Sequence, residues 1–363
     1  WINVEAIGER NANVENYIIS LKDPSGNVGG PKANMDNIKF LKEQMGFKEL
    51  WLDYGWKDGF WWHHNLWDWI NTRIHKYQLS RSVLPKFFKE HPDIDNVVIQ
   101  YPLYSNKLIK QITDSVHQNS HAKLYFIIHD AEMIRLYADE PKRAQGELDS
   151  FNLSDGIIGH NAKMNKFLKE QGVKVPLVDL GIFDYDNPQP LQEYKGYDKS
   201  VCYAGNLIDA EFLQDVYPTN RFDLFGPNPA ESYNEGLNYK GQFSPTDLPA
   251  HMDENFGLVW HGTSVDTCDG VFGRYLKWNN PHKTSLYLSS GLPVIIWDQA
   301  ALADFVLENG VGITISSLNE LNDKLDALTE EEYRQMHDNV QKVANQMRTG
   351  YYITHAMEKM INN

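Results

Sequence analysis

The sequence predicts an α/β protein that consists of two Rossmann-like domains, each built on a parallel sheet. Short apolar runs of strand length alternate with helical segments along the chain, as is typical of parallel sheets covered by helices. A polar, proline-bearing stretch at 186–199 interrupts this alternation and is predicted to be a linker. The length of 363 residues suits two domains of ordinary size. We therefore expect a first domain at 1–185, a second at 200–345, and a C-terminal helix at 346–363. We also consider that this helix crosses back to the first domain.

The first domain is predicted to contain five strands with helices between them. The first strand, Asn16 to Leu21, precedes a loop and a helix whose apolar residues recur with helical spacing from Met35 to Met45. The other strands are expected at 49–52, 96–100, 123–128 and 155–158. Helices near 106–117 and 161–171 alternate with the later strands, which favours parallel pairing.

Strand–helix alternation begins again at residue 200. Six strands are predicted in this second domain, at 200–204, 222–225, 239–241, 257–260, 293–297 and 312–315. The tail at 329–361 is predicted to be helical, and its three glutamates at 330–332 favour a helix start because acidic side chains stabilise the positive end of the helix dipole.

The composition excludes several classes of protein. A formal net charge of −15 argues against nucleic acid as a partner, and no apolar run has the length of a membrane-spanning helix. Two cysteines, Cys202 and Cys268, form no metal or redox spacing and indicate a reducing compartment. Charged residues near the start of the chain do not fit a signal peptide. We expect a cytoplasmic protein with at most peripheral membrane contact.

The segment 279–285 is the most informative part of the sequence because it predicts a helix that can hold phosphate. Asn280 suits the N-cap and Pro281 the first helical position, where a missing N–H has no cost. The free amides at 282–284 and the positive end of the helix dipole would then point at one spot, beside the ammonium group of Lys283. A diphosphate is the natural occupant. The alternative is an ordinary capped helix with a surface lysine.

Three strands of the second domain end in residues that suit a ligand. Gly205–Asn206, Tyr239–Gly241 and Trp260–Gly262 stand at these ends, where glycine admits a ligand to the backbone, asparagine bonds phosphate or sugar, and tyrosine stacks on a base. Simple turns and a packed tyrosine are the alternatives. With the helix start, the candidate nucleotide-binding residues are Gly205, Asn206, Tyr239, Gly241, Trp260, Gly262, Asn279, Asn280, Lys283, Thr284 and Ser285.

Candidate catalytic residues follow a buried-looking strand of the first domain. His129 and Asp130 are well placed there for proton transfer, with the carboxylate able to accept a proton from an attacking hydroxyl. Structural roles are the alternative for both. His160–Asn161, after the next strand, and Gly29–Gly30, in a predicted mobile loop, are candidates for the acceptor side of the cleft. No cluster of metal-ligand spacing occurs in the sequence, so neither a metal nor another cofactor is expected.

Six of the ten tryptophans lie between Trp51 and Trp69. Such density could bury a subunit interface, stack on sugar rings or contact a membrane surface. Trp62, Leu66, Trp69 and Ile70 fall near one helical face, so packing or homo-oligomerisation, as a dimer or tetramer, is the leading interpretation, and acceptor binding is the second.

These motifs resemble a bacterial glycosyltransferase family of the GT-B fold. This family includes the glucosyltransferases that add the second sugar to serine-rich repeat adhesins, and related galactofuranosyltransferases. The resemblance is strongest in the second domain, and the first domain adds Ile128–Asp130 and His160–Met164. Its second-domain motifs are Tyr203–Leu207, Tyr239–Gly241, Phe256–Trp260, Tyr275–Lys283 and Tyr287–Val294.

The resemblance implies a UDP-sugar donor bound to the second domain. Lys283 would contact the diphosphate, Tyr239 the nucleotide, and Asn280 and Ser285 the phosphate or sugar. The adhesin enzymes carry a basic residue where this chain has Ile208–Asp209. Paired glutamates spaced Glu-x7-Glu, frequent in retaining GT-B enzymes, are missing before Lys283, which favours inversion.

The expected function is metal-independent transfer of a hexose, with glucose ranked first, from a UDP-sugar to a glycan, glycoprotein or lipid-linked acceptor. The reaction would belong to adhesin glycosylation or to the synthesis of a surface polysaccharide. Asp130 would be the base, His129 a sugar or acceptor contact, and Lys283 with the helix amides would stabilise the leaving group. UDP-galactofuranose is the alternative donor. A UDP-sugar epimerase and a non-catalytic glycosyltransferase-like helper subunit are the alternative functions.

Overall fold

The first domain contains a six-stranded parallel sheet. The computed structural model describes residues 14–22, 29–56 and 66–363, and the sheet order is β2-β1-β3-β4-β5-β6. Its strands are β1 (Glu15–Leu21), β2 (Lys48–Leu52), β3 (Ile94–Tyr101), β4 (Lys123–Ile128), β5 (Gly156–Gly159) and β6 (Leu177–Asp179). Its helices are α1 (Gly29–Met45), α2 (Leu66–Gln78), α3 (Leu84–Glu90), α4 (Asn106–Asn119), α5 (Glu132–Arg135), α6 (Pro141–Phe151) and α7 (Ala162–Gln171), with a π-helix at Leu79–Val83.

The central strands are apolar throughout because helices cover both faces of this sheet. On one face Ile18, Val98 and Ile127 pack with α1, and on the other Ile99 and Phe126 pack with side chains of α3 and α4. All of these side chains are fully buried.

The second domain repeats the arrangement with the sheet order β12-β11-β10-β7-β8-β9, again parallel throughout. Its strands are β7 (Val201–Ala204), β8 (Phe222–Phe225), β9 (Leu237–Gly241), β10 (Phe256–Val259), β11 (Val294–Trp297) and β12 (Gly312–Ile315). Its helices are α8 (Gly270–Tyr275), α9 (His282–Ser290), α10 (Ala303–Asn309), α11 (Leu321–Ala327) and α12 (Glu330–Met347).

The last helix, α13 (Tyr351–Ile361), follows the second domain in the chain but packs against α1, β5 and β6 of the first. Ile353 and Met357 lie in the same apolar cluster as Ile158. The carboxylate of Asp184, in the segment after β6, accepts hydrogen bonds from the amides of Tyr352 (3.2 Å) and Ile353 (2.7 Å) and so holds the helix start.

The prediction of two Rossmann-like domains, each built on a parallel sheet, is confirmed. All the predicted strands are present within one or two residues of their expected bounds, and β6 was not predicted because only three residues form it. The expected mobile loop at Gly29–Gly30 is wrong, since α1 begins at Gly29. Trp61 and Trp62 of the tryptophan-rich segment lie outside the described residues. Within the described ranges, no helix combines the length and the apolar character needed to cross a membrane.

Candidate active site

The carboxyl ends of β7 and β10 meet at the point where the second sheet reverses its strand order. From β7 the chain adds β8 and β9 on one side, then returns to add β10, β11 and β12 on the other. Open α/β sheets bind ligands at such a switch point. Gly205–Asn206 follows β7 and Trp260–Gly262 follows β10, so both segments lie at the favoured edge.

Helix α9 presents its amino-terminal end at this edge. The helix begins at His282, with Pro281 in the N-cap position (φ −66°, ψ 129°), and it ends at Gly291 in the left-handed conformation. The amide of Thr284 bonds to the carbonyl of Pro281 (2.9 Å), while those of His282 and Lys283 precede the first helical bond and face outward. The predicted N-cap at Asn280 is therefore wrong by one residue. Of the three amides that were expected to be open, those of His282 and Lys283 agree with the prediction, whereas that of Thr284 is bonded within the chain.

Lys283 lies in this opening without an anionic partner. Its Nζ is buried and, within 14–22, 29–56 and 66–363, donates no hydrogen bond; it lies 4.0 Å from the ring centroid of Tyr203. A Cβ at Gly205 would lie 3.3 Å from this Nζ, so glycine keeps the space beside the ammonium group open. Burial lowers the pKa of Lys283 to about 7. An anion bound here would restore its charge.

A cavity of about 330 Å³ opens beside Lys283. Its walls come from the ends of β7 and β8, the segment after β9 and the start of α9: Tyr185, Ala204, Gly205, Asn206, Phe225, Gly226, Pro227, Gln242, Phe243, Pro245, Leu248, His282, Lys283 and Leu286. Gly226 has φ of 137°, and a Cβ there would lie 1.8 Å from the Gly205 carbonyl oxygen, so glycine is required at this contact. The volume and mixed lining suit a nucleotide-sized ligand.

Tyr239 does not line this cavity, whereas Phe243 is one of the aromatic residues that do. Its ring is stacked 3.6 Å from the His251 ring and lies 6.3 Å from that of Phe225. Tyr239 is 42% exposed, lies outside the lining, and donates its hydroxyl hydrogen to the carbonyl of Gly226 (3.0 Å). Gly241 accepts a backbone hydrogen bond from Gly226 (2.9 Å) and so shapes the wall indirectly.

Asn280 connects the two domains instead of contacting the cavity. Its side-chain amide donates to the carbonyls of His160 (2.6 Å) and Gly181 (3.1 Å), and its oxygen accepts from Asn161 (2.8 Å). His160 accepts from the Asn280 amide through Nδ1 (2.8 Å), and its Nε2 is 3.1 Å from the His129 carbonyl. These residues are almost fully buried, and their polar atoms are engaged within the protein. We therefore withdraw them as direct ligand contacts.

Five other predicted residues are not among those that line the cavity: Trp260, Gly262, Asn279, Thr284 and Ser285. The Ser285 hydroxyl donates to the Phe183 carbonyl (2.8 Å), and Trp260 is fully buried with its indole N–H bonded to Ser264 (3.0 Å), so neither side chain reaches the cavity. The Thr284 hydroxyl and the Asn279 side-chain oxygen are buried, and in the described part of the chain neither has a hydrogen-bond partner. At Gly262, with φ of 122°, a Cβ would collide with Asp269.

The amide side chain of Asn206 is already held in place. It donates to Asp209 (2.7 Å) and accepts from Asn228 (2.8 Å). Asp209 is the residue that stands where the resemblance implied a basic one, and its charge acts on Lys283. The sequence difference therefore changes the charge beside the cavity.

His129 and Asp130 follow β4 on the facing domain. The Nε2 of His129 is 2.9 Å from the Gln100 side-chain oxygen, its ring is stacked on Phe183, and burial lowers its pKa to about 3. Asp130 keeps 28% of its side chain accessible and pairs with Arg135 at 2.9 Å. Burial raises the pKa of Asp130 to about 7, against the opposing effect of the Arg135 guanidinium. A carboxyl group with this pKa can accept a proton near neutral pH.

Sequence reasoning missed Arg135, and it assigned a role to the backbone amide of His282 but none to its side chain. Arg135 bonds Glu132 through both Nε (3.1 Å) and Nη2 (2.5 Å) while it pairs with Asp130. His282 lines the cavity with its Nε2 buried, and no described residue bonds this atom. The available signals were positional. Arg135 lies in the first helical turn after the candidate base Asp130, and His282 immediately precedes the candidate Lys283.

Among the described residues, one acidic group has metal-binding spacing: Asp223, Asp253 and Glu254. It lies near the amino ends of β8 and β10, at the opposite edge of the sheet from the cavity. Arg221 pairs with Asp253 at 2.8 Å and with Asp223 at 3.4 Å, so the carboxylates already have a cation. This group therefore does not belong to the candidate site.

Both domains match one protein family. The family described as Glucosyltransferase 3-like matches with its N-terminal domain at 15–182 and its C-terminal domain at 201–360. The β-1,6-galactofuranosyltransferase WbbI of Escherichia coli K12 is 35% identical over 82% of this chain and 87% of that protein. Glucosyltransferase 3 of Streptococcus gordonii is 25% identical over 71% of this chain and 76% of that protein.

Solved structures show the same fold at low sequence identity. Trehalose-6-phosphate synthase OtsA superimposes with a TM-score of 0.58, covering 95% of this chain and 98% of that one at 10% identity. TarM superimposes with a TM-score of 0.52, covering 78% of this chain and 58% of that one at 13% identity. With both domains matched by one family and a 35% identical relative over most of its length, the chain is a GT-B glycosyltransferase of the Glucosyltransferase 3-like family.

Proposed function

We propose that this glycosyltransferase moves a hexosyl group from a UDP-sugar to a hydroxyl of a glycan acceptor, with inversion and without a metal. The observation that carries the proposal is the buried ammonium group of Lys283, which has no hydrogen-bond partner in the described part of the chain and lies beside the open amides of α9. Burial of a cation without a partner destabilises the free protein, so its presence at this edge is best explained by an anionic ligand.

The diphosphate of UDP fits this arrangement. Two outward-facing amides, the helix dipole and Lys283 together supply the positive charge that a divalent cation provides in other diphosphate sites. The 330 Å³ cavity next to Lys283 would hold the nucleoside, with Phe243 as its aromatic wall. This binding mode supports metal independence.

The proposed chemistry is one direct displacement. Asp130 takes the proton of the acceptor hydroxyl, and the oxygen of that hydroxyl bonds to the anomeric carbon of the donor sugar. At the same time the bond from the anomeric carbon to the phosphate oxygen breaks. UDP departs with the electron pair, and Lys283 with the α9 amides neutralises the developing charge. Arg135 orients Asp130, and the near-neutral pKa of this carboxyl suits a general base.

Two donor sugars are candidates. Glucose was ranked first from the sequence, but the 35% identity to a β-1,6-galactofuranosyltransferase, against 25% to a glucosyltransferase, favours galactofuranose in our proposal. A second observation against glucose is Asp209, which lies where the resemblance to the glucosyltransferases implied a basic residue. A β linkage made from an α-linked nucleotide sugar also corresponds to inversion.

Incubation with UDP-sugars and oligosaccharide acceptors tests the proposal. UDP-galactofuranose, UDP-galactopyranose and UDP-glucose are supplied separately, with and without EDTA, and products are analysed by mass spectrometry and NMR. A longer glycan with an inverted anomeric centre is expected, at an EDTA-independent rate. UDP binding without transfer from any donor would favour the helper subunit, interconversion of free nucleotide sugars would favour the epimerase, and loss of transfer in EDTA would reject metal independence.

A further inference from the structure

A second cavity, of about 580 Å³, lies in the first domain and is larger than the one beside Lys283. Its lining comes from four parts of the chain: the segment after β2, helix α2, the end of β3 with the residues that follow it, and residues 132–147. The lining residues are Trp56, Trp69, Thr72, Lys76, Tyr101, Pro102, Tyr104, Ser105, Asn106, Glu132, Leu136, Tyr137, Arg143 and Glu147. Trp56 and Trp69 belong to the tryptophan-rich segment, for which acceptor binding was the second interpretation in the sequence analysis, and none of the other lining residues was a candidate for the acceptor side. We name it the aromatic cavity.

The aromatic cavity lies beside the switch point of the first sheet. The order β2-β1-β3 places the reversal between β1 and β3, and Tyr101 and Pro102 stand at the carboxyl end of β3. This is the position where an open α/β sheet binds a ligand. The second domain uses the corresponding edge for the proposed UDP-sugar.

The proposed base is next to this cavity. Glu132 forms part of the cavity wall, and Arg135 bonds Glu132 on one side and Asp130 on the other, at 2.9 Å. A single turn of helix, α5, therefore separates the cavity from Asp130. A ligand that extends from the cavity past α5 would reach the carboxylate.

The wall combines aromatic rings with hydrogen-bonding groups, which is the chemistry that recognises sugars: rings pack on the C–H faces and polar groups bond the hydroxyls. Two of the rings are held in position. Trp56 packs edge-on against Tyr54 at 5.1 Å, and the guanidinium of Arg73 lies 4.4 Å from the ring of Trp69. Trp69 nevertheless remains 51% exposed.

Both carboxylates of the wall are already satisfied. Glu132 is paired with Arg135, and Glu147 accepts hydrogen bonds from the amides of Glu132 (3.0 Å) and Met133. Arg143 pairs with Glu140 (3.2 Å). The described lining therefore offers no free carboxylate to a cationic ligand. Lys76 donates to the carbonyl of Tyr104 (3.3 Å) and lies 4.4 Å from the centroid of the Tyr54 ring, so its ammonium group is also engaged within the protein, and the lining suits an uncharged carbohydrate.

We infer that the aromatic cavity holds neutral sugar residues of the acceptor glycan, adjacent to the residue whose hydroxyl Asp130 activates. This inference rests on the proposed function and replaces the earlier acceptor-side candidates. The substrate class that follows is an oligosaccharide rather than a single free sugar, because a binding cavity separated from the base by a helical turn has a use only for a longer acceptor.

The test compares two tryptophans of α2. Trp69 lines the cavity, whereas Trp67, two residues earlier and 76% exposed, does not. An array of neutral and acidic oligosaccharides is probed with three proteins: wild type, Trp69→Ala and Trp67→Ala. The acceptor KM is then measured for each protein with the oligosaccharide that binds best and with the terminal monosaccharide of that oligosaccharide. We expect binding to neutral oligosaccharides that Trp69→Ala weakens about three- to tenfold, with no change in monosaccharide KM and none in Trp67→Ala.

Several outcomes would overturn the inference: no neutral oligosaccharide bound by wild type, preference for acidic ones, or equal effects of the two substitutions. Tyr137→Ala provides a second removal of a cavity ring that does not depend on α2. UDP-induced thermal stabilisation and UDP-sugar hydrolysis are measured in every variant. If wild type shows neither UDP-induced stabilisation nor UDP-sugar hydrolysis, the proposed function is rejected. If the variants keep both properties and bind oligosaccharides as wild type does, only the role of the aromatic cavity is rejected.

Discussion

Replacement of Lys283 by methionine should stabilise the free protein and abolish its response to UDP. The pKa of Lys283 is lowered from 10.5 to about 7 by burial. A difference of about 3.5 pKa units corresponds to at most about 4.8 kcal/mol of lost stability, at about 1.36 kcal/mol for each unit. Loss of the cation–π contact with Tyr203 would remove about 1–2 kcal/mol of stabilisation. We therefore expect a net gain of about 2–4 kcal/mol below pH 7.

The sign of the pH dependence follows from proton binding. Between pH 7 and 10.5 the unfolded wild type binds one more proton than the folded protein, so its stability rises with pH through this window. The methionine variant lacks this slope. The difference between the two proteins should therefore be largest below pH 7 and should disappear towards pH 10.5.

Thermal unfolding with and without UDP provides the assay. At 100 times its Kd, UDP should stabilise wild type by about 2.7 kcal/mol, which is roughly 5–10 °C in Tm for a domain of this size. Lys283→Met should show almost no shift. Lys277→Met is the matched control, because it removes an exposed lysine that lies over the Trp297 ring outside the cavity. An undiminished UDP shift in Lys283→Met would refute our placement of the diphosphate.

Three further predictions concern the base, the domain contact and the cavity opening. The kcat/KM of wild type should fall below pH 7 as Asp130 is protonated. Asp130→Asn should bind UDP normally, lose about 10²–10⁴-fold in turnover and lack this pH dependence, and a fully active variant would exclude Asp130 as the base. Asn280→Ala should lower stability by about 2–4 kcal/mol in denaturant unfolding because three buried polar groups each lose one hydrogen bond. Asn279→Ala should lose much less, because no described residue bonds the Asn279 side-chain oxygen; equal losses would contradict the domain-bridging role. Gly205→Ala should raise the Kd for UDP in calorimetry, since its methyl group would lie 3.3 Å from the lysine Nζ, and an unchanged Kd would place the phosphate elsewhere.

The strands were predictable because burial on both faces leaves little choice of residue. The run Val97–Ile99 and its counterpart Ile295–Ile296 are continuous apolar segments of strand length, and both form central strands. The edge strand β6 could not be found in this way, because it has three residues, of which only Val178 is buried.

The candidate site was predictable where local sequence determines geometry. The open end of α9 and the position of Lys283 follow from a helix start after a proline, and they agree with expectation to one residue. The role of Asn280 does not follow from local sequence, since its partner His160 is 120 residues away. Trp260 was misplaced for a related reason: residues just past a strand end can turn either into the cavity or into the core. The cytoplasmic location and the homo-oligomer remain predictions.

The return of α13 to the first domain has a consequence for how the enzyme can be divided and how it can move. A fragment that ends at the linker would lack Ile353 and Met357 and leave their apolar partners in contact with water, so we expect it to aggregate unless a synthetic peptide of residues 351–361 is added. Two covalent crossings, one at Asp184 and one at Gly350, also join the halves at neighbouring points. Opening and closing around substrates would then be confined to a rotation about the line between these crossings.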